Sequence, residues 1–252
     1  MDDLKTNQEK SADVSLVIPA YNEQNRLGST LEKAALFFRE KSYDTEVIVV
    51  DDGSTDSTPR LAGEFKDRFW KLTVLQNEGN RGKGYSVRRG MLAAEGKYRL
   101  FYDADGSTPI EEFDRAHAHL EEGYHMVIGS RAMLDSKLEI KQPFHRRISG
   151  DIFRGLVDIL AVAGFRDTQC GFKCFTAEAA QKVFPLQRLE RFSFDAELLY
   201  IAVKMGYLVK EMPVVWRDSS ETKLNFLKDG LRMLWDLLVI RLNAIRGRYK
   251  SG

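Results

Sequence analysis

Apolar and polar positions fall in blocks along this chain. Short apolar runs at Val14–Ile18, Glu46–Val50, Leu72–Leu75, Tyr98–Tyr102 and Met126–Ile128 are rich in Val and Ile, and polar turns bound each of them. Segments of helical composition lie between the runs. This alternation predicts a mostly parallel sheet covered by helices, with ligands bound beyond the carboxyl ends of the strands. From Arg131 onward the rhythm changes to a longer basic segment and the run DTQCGFKCF. A helix over Phe194–Met205, a strand near Leu208–Trp216 and a final helix follow. There is no internal repeat. Residues 1–13 read as a polar, frayed tail with no apolar core of a signal or anchor, 14–221 as one α/β domain, and 222–252 as an amphipathic helix.

The apolar-rich stretch from Leu224 to Ile245 is interrupted by Lys228, Asp229, Arg232, Asp236 and Arg241, too many charges for a spanning helix. The 252 residues suffice for one sizeable core. Thirty-eight basic against 37 acidic side chains give a net charge of +1, which argues against a protein that coats nucleic acid. Cys170 and Cys174 are too few for a disulfide framework and read as two core thiols in a reducing compartment. The four histidines form no metal set, since His117 and His119 point apart on one helix; they read as surface residues.

The candidate chemistry sits in the loops that follow strands. Pro19-Ala20-Tyr21-Asn22-Glu23 and Asp51-Asp52-Gly53-Ser54-Thr55-Asp56 bring an aromatic and several carboxylates to one sheet edge, suited to holding a base and ribose. The bland alternative for the Asp52 cluster is a solvated turn capping the next helix. There is no GxGxxG, and in Gly79-Asn80-Arg81-Gly82-Lys83-Gly84-Tyr85 a glycine stands where a P-loop needs Ser or Thr. Asp103-Ala104-Asp105 places two carboxylates just past an apolar strand, hard oxygen ligands for Mg2+ or Mn2+ on a diphosphate, or else a turn before Pro109. Arg217 and Lys223, in a polar loop, could reach phosphates.

In order, VSLVIPAYNE, VIVVDDGSTDST, NRGKGYSVRRGM, LFYDADGST, VIGSR, RDTQCGFKCFT, RFSFDAELLYIA and a terminal TKL before an amphipathic helix resemble the family-2 glycosyltransferases of the GT-A (Rossmann-like) fold, from about Val14 to Arg246. Within that superfamily the chain is most similar to the dolichyl-phosphate β-glucosyltransferase branch, with polyprenyl-phosphate mannosyltransferases as cousins. The resemblance implies nucleotide-sugar-binding roles for Pro19, Tyr21, Glu23, Val50 and Asp52, and metal and diphosphate roles for Asp103, Ala104 and Asp105. Phosphate binding would fall to Arg131, Arg217 and Lys223. In the mannosyl cousins an Arg and a Ser four residues later help hold the lipid phosphate. Here His145 takes the Arg spacing from Ser149, with Arg146 and Arg147 beside it as the remaining acceptor-phosphate candidates.

The reaction so implied moves a sugar, glucose from UDP-glucose, onto a polyprenyl or dolichyl phosphate with inversion. An already anionic acceptor needs no general base, so cationic groups should outnumber proton acceptors. Asp105, Arg131 and Asp195 are the candidate catalytic residues. Asp195 is the position where relatives acting on hydroxyls place a base, and otherwise caps its helix. The alternatives are mannosyl transfer from GDP-mannose, transfer to a saccharide hydroxyl, and a non-catalytic membrane adaptor. Members of the glucosyl branch in eukaryotes carry an N-terminal membrane anchor that residues 1–13 do not resemble, so attachment is expected from elsewhere.

Charge and amphipathicity suggest where. Residues 137–154 carry five basic and two acidic side chains and 222–252 carry seven and two, so the remainder has a net charge of −7. The basic segment within 131–165 is the expected acceptor-side cover. On the last helix Leu224, Leu227, Leu231, Leu234, Leu238, Leu242 and Ile245 form one apolar stripe and Phe226, Met233, Leu237 and Ile240 another. One stripe would pack on the domain and the other on the cytoplasmic face of a membrane, on a second copy or on a membrane-protein partner.

Overall fold

The computed structural model describes residues 12–133, 135–138, 155–217 and 226–250, with side chains placed for all of these except 137–138 and 226–231. Seven strands form one sheet in the order β3-β2-β1-β4-β7-β5-β8. They are β1 (Val14–Ala20), β2 (Thr45–Asp51), β3 (Lys71–Gln76), β4 (Tyr98–Tyr102), β5 (Met126–Ser130), β7 (Phe172–Thr176) and β8 (Val209–Pro213). β6 (Lys137–Leu138) pairs with β9 (Val215–Trp216) in a separate two-stranded ribbon. Helices α1 (Leu27–Glu40), α2 (Thr58–Gly63), α3 (Lys83–Ala93) and α4 (Glu112–Glu121) connect the first five strands. A helical segment α5 (155–160), then α6 (Ala177–Val183), α7 (Phe194–Lys204) and α8 (Phe226–Ile245) complete the described elements.

The apolar runs become strands: β4 keeps the bounds of its run, and β1, β2, β3 and β5 each gain two residues. β1 and β2 are buried at every position, as strands covered on both faces must be. Two apolar layers result. One lies under α1 and α4 around Leu16, Leu31, Phe38 and Phe113, and the other under α3, α7 and α8 around Val17, Phe101, Phe194 and Leu237.

The rhythm change after Arg131 has a structural cause. β7, the strand inside the DTQCGFKCF run, enters between β4 and β5 and runs antiparallel to both. Periodicity alone missed this strand, because alternating Phe172, Cys174 and buried Lys173 and Phe175 resemble neither pattern. The single strand expected near Leu208–Trp216 is two, split at Val214. Cys170 and Cys174 are free and buried, as expected of core thiols, and burial pushes the Cys170 thiol up to about 11. Of the histidines, His117 and His119 are half-buried, and His145 lies outside the described residues. His117 stacks on Phe113 at 5.7 Å, and His119, half-buried, sits 2.9 Å from Glu122.

Candidate active site

The carboxyl ends of β1, β2, β4 and β5 open on one edge of the sheet, and the loops there are laced together. Asn22, in a left-handed conformation, donates its N–H to Ser54 Oγ, and its Oδ1 accepts from Thr55 N–H. Glu23 donates its N–H to Thr58 Oγ1, while its carboxylate takes a bidentate contact from Arg26 at 2.7 Å on both oxygens. Pro19 and Val50 are opposite one another in the parallel register, both buried. Tyr21 stands a third exposed at the edge. An aromatic face and a Glu–Arg pair are thus held beside the ends of β1 and β2.

Asp52 is buried rather than solvated. Its Oδ1 accepts from Asn77 Nδ2 at 2.7 Å and from Arg81 N–H at 2.9 Å, and Oδ2 accepts from Gly82 N–H at 2.8 Å. The turn before α2 is held by Asp56, whose Oδ1 accepts from the N–H and hydroxyl of Thr58. Asp52 therefore fixes the 79–82 loop and, through it, the start of α3. Gly82 has a φ of 111°, and a Cβ there would meet Glu190 O at 2.4 Å, so a second loop packs directly on the first.

α3 then delivers a residue that the sequence reading passed over. Lys83 Nζ lies 2.7 Å from Asp103 Oδ1, and burial, which pulls its pKa down, is outweighed by Asp103 and Asp195, so the group is held above its ordinary value. Asp103 donates its N–H to Gly171 O, and a Cβ on Gly171 would lie 1.9 Å from Asp103 Oδ2. Glycine at 171 is what leaves room for that carboxylate. Asp105 Oδ1 accepts from Ser107 N–H, and Oδ2 lies 3.9 Å from Arg26 Nη1. Ala104 O accepts from Thr30 Oγ1 at 2.8 Å, which ties the motif to α1. Arg217 joins the same loop by donating its N–H to Ser107 O at 2.8 Å.

Arg131 ends β5 in a fork with Asp167: Nε to Oδ2 at 2.6 Å and Nη2 to Oδ1 at 2.9 Å, while the Arg131 N–H also donates to Oδ2. Burial raises the Asp167 pKa, but Arg131 outweighs it and holds the carboxyl down at about 2. Asp195 does not cap α7. Its Oδ1 sits 2.5 Å from Lys173 Nζ, which also donates to Cys170 O. The ammonium groups of Lys173 and Lys83 lie 5.6 and 5.3 Å from the Phe101 ring, so both belong to one cluster under the site.

Ion pairs at this edge among the described residues include Arg26 with Glu23, Lys83 with Asp103, Arg131 with Asp167 and Lys173 with Asp195. These four pairs add no net charge. Lys223, Arg146, Arg147 and Ser149, with His145, lie outside the described residues. Two anionic substrates would need positive charge beyond these pairs. Among the described residues no three His, Cys, Asp or Glu side chains gather for a metal. Asp103 and Asp105, each about a quarter exposed, are the fitting donor set: two carboxylates that leave the other positions of an octahedral ion to water and phosphate oxygens.

Of the two stripes expected on α8, Leu224 and the side chains of Phe226, Leu227 and Leu231 lie outside the described residues, and the rest divide between core and surface. Leu237 and Ile240 are buried in the core, and Tyr249 beyond the helix donates its hydroxyl to Glu197 Oε1 of α7 at 2.6 Å. Leu234, Trp235, Leu238, Leu242 and Ile245 are exposed, Trp235 at 62% and Ile245 at 82%. No helix among the described residues is long and apolar enough to cross a membrane.

Comparison with known proteins adds names to this geometry. The family described as Glycosyl transferase family 2 matches residues 15–180. The dolichyl-phosphate beta-glucosyltransferase of Dictyostelium discoideum is 39% identical over 249 residues, covering 94% of this chain and 76% of that one. The human protein of the same name is 36% identical over 254 residues, 94% of this chain and 77% of its own. Among solved structures, glucosyl-3-phosphoglycerate synthase from Mycobacterium tuberculosis in complex with Mn2+, UDP and glucosyl-3-phosphoglycerate superposes with a TM-score of 0.66 at 18% identity, over 92% of this chain and 79% of that one.

Proposed function

The chain belongs to glycosyl transferase family 2, and from that premise we propose that it transfers glucose from UDP-glucose to dolichyl phosphate, giving a β-linked lipid-phosphate sugar. An oxygen of the lipid phosphate attacks the anomeric carbon from the face opposite UDP. The new C–O bond forms as the bond to the UDP oxygen breaks, and the electron pair leaves with the diphosphate.

In this reading Tyr21, Glu23 and the β1–β2 edge take the nucleoside, with Pro19 and Val50 beneath it and Asp52 holding the adjoining loop in shape. Asp103 and Asp105, with the Ala104 backbone between them, would hold Mg2+ or Mn2+, which when bound neutralises charge on the leaving diphosphate. Lys83 balances Asp103 and can turn towards a phosphate oxygen once that carboxylate is otherwise engaged. Arg131, oriented by Asp167, and Arg217 flank the same loop and serve the phosphates, a role Lys223 would share. The acceptor phosphate would fall to Arg146, Arg147 and Ser149. The single observation that carries a phosphate acceptor over a hydroxyl is the placement of Asp195: it is buried, and its Oδ1 is engaged by Lys173 Nζ at 2.5 Å, so that oxygen does not stand open to an incoming hydroxyl.

The exposed stripe of α8 supports peripheral docking on the cytoplasmic face of a membrane. Arg232, Arg241 and Arg246 flank it, placing cations where headgroups would lie. The 14–221 unit would then be the catalytic domain and 222–252 its docking helix.

The test is an assay of UDP-glucose, GDP-mannose and UDP-N-acetylglucosamine against dolichyl and undecaprenyl phosphates. Glucose transfer to a lipid phosphate is the expected result. Turnover confined to saccharide hydroxyls would overturn the reading.

A further inference from the structure

A second basic cluster lines a cleft that shares the 79–82 loop with the site described above. Arg81, Arg188, Arg191 and Arg232 line a cleft of about 400 Å3, with Glu190 and Asp236 as its carboxylates. Four guanidinium groups come from three separate parts of the chain: the 79–82 loop, the loop before α7, and α8. Arginine presents a planar fork that matches two oxygens of a phosphate, and a cleft with four of them against two carboxylates keeps a net positive charge.

The walls are fixed before any ligand arrives. Glu197 Oε2 accepts from the N–H groups of Arg188 and Leu189 at 3.0 and 2.7 Å, and its other oxygen accepts from Tyr249. Gln187 Nε2 donates to Gly84 O and Leu189 O, and Tyr85 N–H donates to Glu190 O. The carboxylates are already engaged: Glu190 lies 3.6 Å from Arg81, and Asp236, half-buried on α8, faces Arg232 and Arg191. Arg188 and Arg191 are exposed at the surface.

What the cleft sits beside identifies the source of the phosphate. Arg232 and Asp236 reach it from one side of α8, and Trp235 and Leu242, on the neighbouring side, begin the exposed apolar stripe. A lipid whose acyl chains lie along that stripe would carry its headgroup phosphate to the rim of this cleft. We propose that the cleft binds the phosphate of an anionic membrane lipid headgroup, separately from the lipid phosphate that accepts the sugar. The proposal rests on the membrane-docking part of the functional reading and not on the transfer reaction.

The experiment is flotation of the full chain with phosphatidylcholine vesicles, with and without phosphatidic acid. The cleft variant is Arg188→Gln with Arg191→Gln, and a control, Arg60→Gln with Arg68→Gln, removes equal charge from an exposed surface elsewhere. Melting temperatures check that each variant is folded. The cleft variant should lose about twenty-fivefold in binding to the anionic vesicles, roughly fivefold per cation, and little to the neutral ones. The control should lose far less than the cleft variant. Equal losses in the two variants, or none in the cleft variant, would overturn the assignment. Free inorganic phosphate that raises the melting temperature of the parent but not of the cleft variant, with no difference between them on vesicles, would overturn the lipid source. Failure of the parent to bind any vesicle would instead count against the docking role of α8.

Discussion

Lys173 Nζ and Asp195 Oδ1 stand 2.5 Å apart with both side chains almost wholly removed from water. β7 supplies the lysine and the first turn of α7 the carboxylate, so the pair clamps the inserted antiparallel strand to the helix over the sheet. Burial pushes the Asp195 pKa up, and Lys173 only partly opposes this. Replacing one partner strands the other charge in the core, at a cost of about 3–5 kcal/mol. Asp195→Asn should therefore unfold at markedly lower urea than the parent, and Lys173→Met with Asp195→Asn should recover part of the loss. In the folded fraction of Asp195→Asn, the pH profile of transfer should keep the parent's shape. If the substitution removed a limb that the parent displays, Asp195 would be a base and the acceptor a hydroxyl.

Gly171 offers a cleaner test of the D-x-D loop, because its φ is ordinary and only space is at issue. A methyl group there would overlap Asp103 Oδ2 at 1.9 Å and push the carboxylate out of line. Displacement of this size at a reacting centre costs on the order of 100-fold in rate. Gly171→Ala should lose about that in kcat, and Gly63→Ala, where a Cβ meets nothing, should lose none. Comparable activity of Gly171→Ala and parent would remove Asp103 from the machinery.

How much of this could be read from the residues alone follows from the range of the forces involved. The strands β1 to β5 were legible because each is a short, mostly apolar run bounded by polar turns, a local signal. The D-x-D pair and the Tyr21–Glu23 loop were legible because a strand end followed by carboxylates is a local signal. Lys83, Lys173, Asp167 and Arg26 were not. Each acquires meaning only from a partner: Asp103, Asp195 and Arg131 lie 20 to 36 residues away, and Glu23 becomes Arg26's partner through a fork that spacing alone does not reveal. β7 was hidden for a related reason. A lysine buried at 0% in a central strand looks polar in any pattern, and its neutralising carboxylate lies on another element.

The Arg131–Asp167 fork predicts a pH dependence of stability. Asp167 is held at about 2, below its unfolded value near 4, so its contribution is fully present above that unfolded value. It is lost as pH falls from about 4 towards 2 and amounts to about 2.5 kcal/mol. Urea midpoints taken between pH 6 and pH 2.5 should show this acid loss in the parent. Asp167→Asn should be less stable at pH 6 and flatter below pH 4. An unchanged acid slope in the variant would mean that the fork contributes nothing to folding.

Metal dependence is testable at Asp105, whose Oδ2 lies 3.9 Å from Arg26 Nη1. Chelation of the parent should abolish transfer, and Mg2+ or Mn2+ should restore it. Asp105→Ala should remain inactive when metal is returned, while its melting temperature stays near that of the parent because the side chain is partly exposed. Full activity of Asp105→Ala in chelator would refute the assignment of the pair to a cation.

The two faces of α8 should respond in opposite ways to the same substitution. Leu237 lies in the core with no exposure, so Leu237→Ser should cost about 3 kcal/mol and lower the melting temperature. Trp235 and Leu238 already face water, and serine there removes no internal packing partner of comparable size, so the melting temperature should hardly move. If the exposed stripe enters a bilayer surface, each of these two exchanges should weaken vesicle binding by about tenfold. The stripe would instead serve a second copy of the chain if Trp235→Ser left flotation unchanged and shifted the sedimentation of a concentrated sample from dimer to monomer. The melting temperature separates a folding defect from a docking defect, and the vesicles separate a lipid surface from a protein one.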